Sequence, residues 1–209
     1  MTPRLLIATT NPGKVREIFA LLGDISARLV TPPEVGLALE VDETGATYAE
    51  NAKRKALVYA AASGLVTLGD DSGLEVDALG GAPGLHTARF AGPGASDADR
   101  IRLLLQKLEG IPGSERTARF RCAVAIAEPG GETAIAEGMC EGRIAIAPSG
   151  INGFGYDPVF FFPEHGCTMA ELHDRVKNSV SHRARAVLAA QPMIVAALRR
   201  SARPEEEYE

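Results

Sequence analysis

The run TARFRCAVAIAEPGGETAIAEG, residues 117–138, restricts the fold more than any other part of the chain. Ala118, Phe120, Cys122, Val124 and Ile126 alternate with their neighbours at the period of a strand, and Pro129-Gly130-Gly131 offers a turn. The pattern predicts a β-hairpin that continues into RIAIAP, residues 143–148. Ahead of it the rhythm is different. RLLIATTNPGKVREIFALLGD, residues 4–24, reads as strand, turn at Asn11-Pro12-Gly13, and helix, with Val15, Ile18, Phe19 and Leu22 on one face and Gly23 as its C-terminal cap. Thr47-Tyr48-Ala49-Glu50 has the spacing of a capping box and opens a second helix, which Gly64 closes before the apolar strand 64–68. Ile101, Leu104, Leu105 and Leu108 mark a third helix from Ser96 to Gly110. Strands alternating with helices, interrupted by a hairpin, require an α/β fold on a mixed β-sheet flanked by helices.

Beyond the hairpin, GFGYDPVFFFPEHG turns into a short aromatic strand, Val159–Phe162. Thr168–Glu171 repeats the capping-box spacing, and an alanine-rich helix runs from about Ser181 toward Arg200, with Pro192 predicted to kink or break it. With no internal repeat or linker, residues 1–200 read as a single bilobed domain and 201–209 as an acidic, solvated tail. A 45% hydrophobic composition suffices for one core, and a net charge of −5 argues against a general nucleic-acid coat. Cys122, Cys140 and Cys167 are too few and too far apart for a disulfide framework or a zinc spacing, so they are expected to be reduced. No signal-peptide pattern and no apolar run of the ~20 residues a membrane helix needs lead to the expectation of a cytoplasmic protein without a membrane partner.

GDDSGLEVD, residues 69–77, places two carboxylates directly after the apolar run 64–68. A solvated turn would account for them. The alternative is a crevice at the strand ends of an α/β sheet, where adjacent carboxylates repel unless a cation lies between them. Mg2+ suits such a place, being held by one or two carboxylates with waters and phosphates, and Asp42 and Glu43 offer further oxygens. TTNPGK, residues 9–14, joins a strand to a helix start, where amides and the helix dipole favour an anion and Lys14 adds charge; it is too short for a P-loop. KNSVSHR brings Lys177, His182 and Arg183 to another predicted helix start, while Lys53 and Lys55 fit either a solvated helix face or a site.

Four segments in this order, TTNPGK, DDSGLEVDALGGAPGLHTARFAG, GFGYDPVF and KNSVSHRARA, resemble the inosine triphosphate pyrophosphatase family, in its bacterial branch, from about Leu5 to Arg199. The resemblance implies a long mixed sheet in two lobes with the active site in the cleft between them, generally as a homodimer. It implies a house-cleaning hydrolase that converts ITP, dITP and XTP to monophosphate and pyrophosphate with Mg2+, keeping non-standard purines out of DNA and RNA without binding nucleic acid directly. Carried over by position, Thr9, Thr10, Asn11, Pro12, Gly13 and Lys14 hold the triphosphate, with Thr10 standing where a glycine is usual. Asp71 is the metal ligand and proton acceptor, with Ser72 and Lys55 at substrate and Asp70 assisting. Glu43 is the acidic loop residue expected at the metal, with Asp42 the alternative. Phe154, Gly155, Tyr156 and Asp157, together with Lys177, His182 and Arg183, form the base-recognition side, Phe154 stacking on the purine. Two rivals remain: a Maf-type pyrophosphatase of related fold acting on other damaged bases, against which KNSVSHR beside FGYD argues, and a sensor or structural protein that binds triphosphate without hydrolysis, against which the retained Asp42, Glu43, Asp70 and Asp71 argue.

Overall fold

The computed structural model describes residues 2–202, so all but the first two residues of the expected tail 201–209 lie outside the described residues. Seven strands form one sheet of order β2-β1-β3-β4-β5-β6-β7: β1 (Arg4–Ile7), β2 (Arg28–Val30), β3 (Val66–Val76), β4 (Thr117–Ala127), β5 (Thr133–Ile144), β6 (Phe160–Phe162) and β7 (Cys167–Thr168). β1 runs parallel to β2 and β3, whereas β5–β6 and β6–β7 are antiparallel, so the sheet is mixed as the hairpin requires. The helices are α1 (Pro12–Leu21), α2 (Tyr48–Ser63), α3 (Asp97–Lys107), α4 (Asp174–Val180) and α5 (His182–Ser201).

The chain divides into two compact units, one of Met1–Asp71, Ala123–Glu137 and Ala186–Glu209, the other of Ser72–Cys122 and Gly138–Arg185. In the first, Leu5, Leu6 and Ile7 of β1 are fully buried, as expected of a parallel strand covered on both faces. Ala52, Ala56 and Ala60 of α2 pack with Ala123, Ala125 and Ala127 of β4. Gly69 of β3 is what lets the helix come this close: a Cβ there would lie 2.5 Å from the Ala52 carbonyl oxygen and 2.8 Å from the Ala56 nitrogen. Leu37, Leu39 and Val41 pack against Leu6, Ala8, Val30 and Tyr59, and the Tyr59 hydroxyl donates to the Leu39 carbonyl at 2.6 Å, which fixes the segment leading into Asp42 and Glu43. The second unit is built round Leu74, Leu104, Leu108, Phe120, Tyr156 and Phe160, with the Phe120 and Phe160 rings 4.5 Å apart. Buried Arg116 donates to the carbonyls of Leu108 and Ile111, both at 2.9 Å, satisfying the chain as it leaves α3.

Several local expectations change. The strand expected over 64–68 does not stop before the carboxylates: β3 runs to Val76, so Asp70 and Asp71 sit mid-strand. Pro12 and Gly13 belong to the first turn of α1 rather than to a turn before it, because Asn11 caps the helix and proline tolerates the first helical position. That helix closes at Leu22, not Gly23. Thr47 caps α2 as expected, but Glu50 accepts from the Ala46 amide instead of completing the box. Strand alternation ends at Cys122, beyond which β4 is buried on both faces. α4, absent from the sequence reading, carries Lys177. α5 contains Pro192 without breaking; the carbonyl that loses a helical donor is that of Leu188, on the exposed side of the helix.

Candidate active site

Acidic and basic side chains of the first unit meet around β3. Successive strand residues point to opposite faces, so Asp70 and Asp71 acquire different neighbours. Asp70 is fully buried and pairs with Lys14 Nζ at 3.1 Å. Asp71 faces α2, where Asn51 Nδ2 donates to its Oδ2 at 3.0 Å and Lys55 Nζ lies 3.9 Å from its Oδ1. Lys55 also donates to Glu43 Oε1 at 2.7 Å. Burial pushes the Asp71 carboxyl above its ordinary range; Lys55, Lys14 and the Asn51 hydrogen bond pull the other way, and the Glu43 charge adds to the rise. For Lys55, burial works against the ammonium, but Asp70, Asp71 and Glu43 together outweigh it and hold the group above the ordinary lysine value.

The Thr9–Lys14 segment is more self-contained than a free-amide cradle. Asn11 Oδ1 accepts from the Gly13 and Lys14 amides at 2.9 and 3.1 Å, and its carbonyl accepts from Val15, so every donor of the first turn of α1 is satisfied within the helix start. Thr9 Oγ1 accepts from the Asn11 amide, and Thr10 is exposed. What this segment presents to an anion is the Lys14 ammonium and the positive end of α1. Asp42 and Lys53 are exposed, whereas Glu43 and Lys55 turn inward.

In the second unit, FGYD forms a tight turn. Gly153 adopts φ +76, and a Cβ there would lie 2.0 Å from Asp157 Oδ2, so only glycine fits. That oxygen accepts from the Phe154 amide at 2.8 Å and from Lys177 Nζ, in an ion pair buried on both sides. The Gly155 amide donates to Asp97 Oδ2 at 2.8 Å, and the Tyr156 hydroxyl donates to the Thr87 carbonyl at 3.2 Å. Burial raises the Tyr156 pKa, which keeps the phenol neutral. Lys177 and Arg183 approach the Phe154 ring, 5.1 and 5.5 Å from its centroid. Arg183, nearly fully buried, donates to Ser72 Oγ at 2.9 Å, and the buried His182 ring stacks on Phe120 at 4.6 Å. Ser181 is the hinge of KNSVSHR: it ends α4, and its Oγ accepts from the Ala184 amide to begin α5.

The structure therefore brings Lys14, Glu43, Lys55 and Asp71 together in one unit, and Ser72, Phe154, Asp157, Lys177, His182 and Arg183 in the other. Sequence reasoning passed over Asn51 and Asp97. Asn51 had a signal, being a polar residue on the alanine face of α2 four positions before Lys55. Asp97 had none, since in the sequence it is only a first-turn acid beside a capping box.

The profile of the Ham1 family matches residues 5–193. A dITP/XTP pyrophosphatase of Geobacillus kaustophilus is 51% identical over 183 residues, covering 88% of this chain and 90% of the relative. One from Shouchella clausii is 50% identical over 192 residues, covering 91% and 96%. The solved structure of a HAM1 protein from Coxiella burnetii superposes with a TM-score of 0.83 at 40% identity, over 93% of this chain and 100% of that one. With the mixed sheet, the carboxylates of β3 and the FGYD turn all in place, the chain belongs to the Ham1 family.

Proposed function

We propose that the protein hydrolyses the deaminated purine nucleoside triphosphates ITP, dITP and XTP to the monophosphate and pyrophosphate, removing non-standard purines before they enter DNA or RNA. The observation that carries this reading is the position of Asp71: a buried mid-strand carboxylate with Lys55 and Glu43 at its side and Lys14 on the adjacent residue. A water molecule attacks the α-phosphorus, a new P–O bond forms, the bond to the bridging oxygen breaks, and pyrophosphate leaves with the electron pair. Asp71 orients that water and takes its proton, a role for which a carboxyl raised above its ordinary range is suited. Lys14 and Lys55 offset the charge that develops on the phosphates.

Mg2+ is the cofactor of this reading. Among the described residues no three His, Cys, Asp or Glu side chains converge as a closed metal cage. Magnesium does not need one, because waters and substrate phosphates complete its shell. Asp71 and Glu43 fit it: both lie against Lys55, the Glu43 charge pushes the Asp71 carboxyl up, and a divalent cation would relieve that repulsion. When bound, the ion supplies Lewis-acid polarisation of the phosphate oxygens.

For the base, Phe154 stacks on the purine while Arg183 and His182 donate to the oxygen at C6. Adenine carries an amino group there and would leave those donors unpaired. The lysine pair of Asp157 keeps the turn in shape. The reading includes a cytoplasmic homodimer; the exposed side chains of Ile146 and Ile151, 74% and 97% accessible, are apolar surface suited to a partner. Among the described residues no helix is long and apolar enough to cross a membrane.

Pyrophosphate release with magnesium, measured over ITP, dITP, XTP, ATP and GTP, tests the proposal. The first three are expected to turn over far faster than the last two. Release of single phosphates, leaving a diphosphate, would overturn attack at the α-phosphorus.

A further inference from the structure

Asn51 is 2% exposed, and neither end of its amide serves its own helix. Its Oδ1 accepts from the Gly45 backbone amide at 2.8 Å, and its Nδ2 donates to Asp71 Oδ2 at 3.0 Å. The Gly45 N–H can only donate, which fixes the amide oxygen toward the loop and the NH2 toward the carboxylate. A residue needed for packing alone would be apolar, since a buried amide is tolerated only when both ends are bonded.

The loop that Asn51 grips is the acidic one. Glu50 accepts from the Ala46 amide at 2.8 Å, Arg54 donates to Thr44 Oγ1, and Lys55 donates to Glu43 at 2.7 Å, so α2 fastens residues 43–46 at four successive points. Of these fastenings, Asn51 alone spans from the loop backbone to β3. Its NH2 engages one oxygen of Asp71 and leaves the other, Oδ1, turned toward Lys55.

We propose that Asn51 is a positioning residue for the hydrolysis: its amide locks the rotation of the Asp71 carboxylate and, through Gly45, sets the spacing between that carboxylate and Glu43. The inference rests on the reading of Asp71 as the proton acceptor. It adds a residue that acts through Asp71 and never touches the substrate.

Asn51→Asp separates the two ends, because a carboxylate there still accepts from Gly45 but repels Asp71; Asn51→Ala removes both. Amide hydrogen exchange followed by NMR should show Gly45 protected in the parent and in Asn51→Asp, and unprotected in Asn51→Ala. On ITP, kcat should fall in both variants by about 10–100-fold, the range typical of residues that orient a ligand-bearing carboxylate. KM should stay within about 3-fold. In an Asp71→Asn background, adding Asn51→Ala should lower the residual rate by less than about 2-fold, since a residue acting through Asp71 has nothing further to lose. Parental kcat in a folded Asn51→Asp, or multiplicative losses in the double variant, would overturn the inference. Should Asn51→Asp not fold, the Asn51→Ala cycle decides alone. Full activity in Asp71→Asn would instead overturn the reading of Asp71, so the two failures are distinguishable.

Discussion

Asp70 and Asp71 are consecutive residues of one strand with these ion pairs on opposite faces, Asp70 with Lys14 at 3.1 Å and Asp71 with Lys55 at 3.9 Å. The closer pair neutralises a fully buried carboxylate, whereas Asp71 lies in a looser ion pair and is oriented by the Asn51 amide. Substitutions one residue apart should therefore fail differently. Asp71→Asn is expected to fold normally and lose on the order of 10²-fold or more in kcat. Asp70→Asn is expected to destabilise the protein by about 2 kcal/mol, because it strands Lys14 beside a neutral amide. Urea unfolding and ITP turnover of both variants check the contrast.

Lys14 and Arg183 should divide affinity from selectivity. Phosphates are common to every substrate, so Lys14→Ala is expected to lower kcat/KM for ITP and ATP by similar factors. Arg183→Ala, which removes a donor from the base side, should lower kcat/KM for ITP more than for ATP and compress the ratio between them. Equal losses on the two substrates in a folded Arg183→Ala would move that residue to the phosphate site.

Thiol chemistry offers a test of packing that is independent of activity. Burial raises Cys140 to about 11, so at pH 8 roughly a thousandth of it is thiolate, and the group is also inaccessible. Cys122 is buried as well, and only Cys167 is partly exposed. A disulfide reagent at pH 8 is expected to modify Cys167 first, with Cys122 and Cys140 reacting only on denaturation. Rapid modification of two or three thiols in the native protein would contradict the packing of β4 and β5.

Acid should loosen the second unit at Asp77. Arg119 grips that carboxylate with two parallel hydrogen bonds of 2.9 and 2.8 Å, and Thr117 adds a third at 2.7 Å. The Arg119 hydrogen bonds, then that of Thr117, hold its pKa below the ordinary 3.8. A depressed carboxyl stabilises the fold fully above its unfolded-state pKa, and that contribution disappears as pH falls through the lower, folded value. Because the pair is largely exposed, it is worth only about 0.5–1 kcal/mol. Asp77→Asn should lower the Tm slightly at pH 7 and not at pH 2, as thermal melts across that range would show.

Sequence pattern carried the α/β class, the hairpin, three helix starts and the residues that gather at each cluster. It misplaced the end of β3 because Gly69, Asp70 and Ser72 are turn formers by local chemistry, and only the helix packed on Gly69 and the lysines beside the carboxylates show why they stay in a strand. A break at Pro192, which propensity favours, does not occur, because packing of Ile194, Ala197 and Leu198 holds the helix continuous. Asn11 was legible as a loop residue facing an anion, yet its oxygen closes the helix start. Asn51 escaped because its two partners are 6 and 20 residues away, a relation no local spacing encodes.

The alanine face between α2 and β4 makes the placement of chemistry a matter of methyl groups. Ala52, Ala56 and Ala60 have no rotamers to adjust, and neither do Ala123, Ala125 and Ala127 opposite them, so the helix rests on a hard stop with no slack to absorb an added carbon. A valine in this layer would displace the helix bodily, carrying Asn51 and Lys55 away from β3 together. Inherited changes that look like quiet core substitutions, far from any substrate, would on this account present as loss of catalysis before loss of folding.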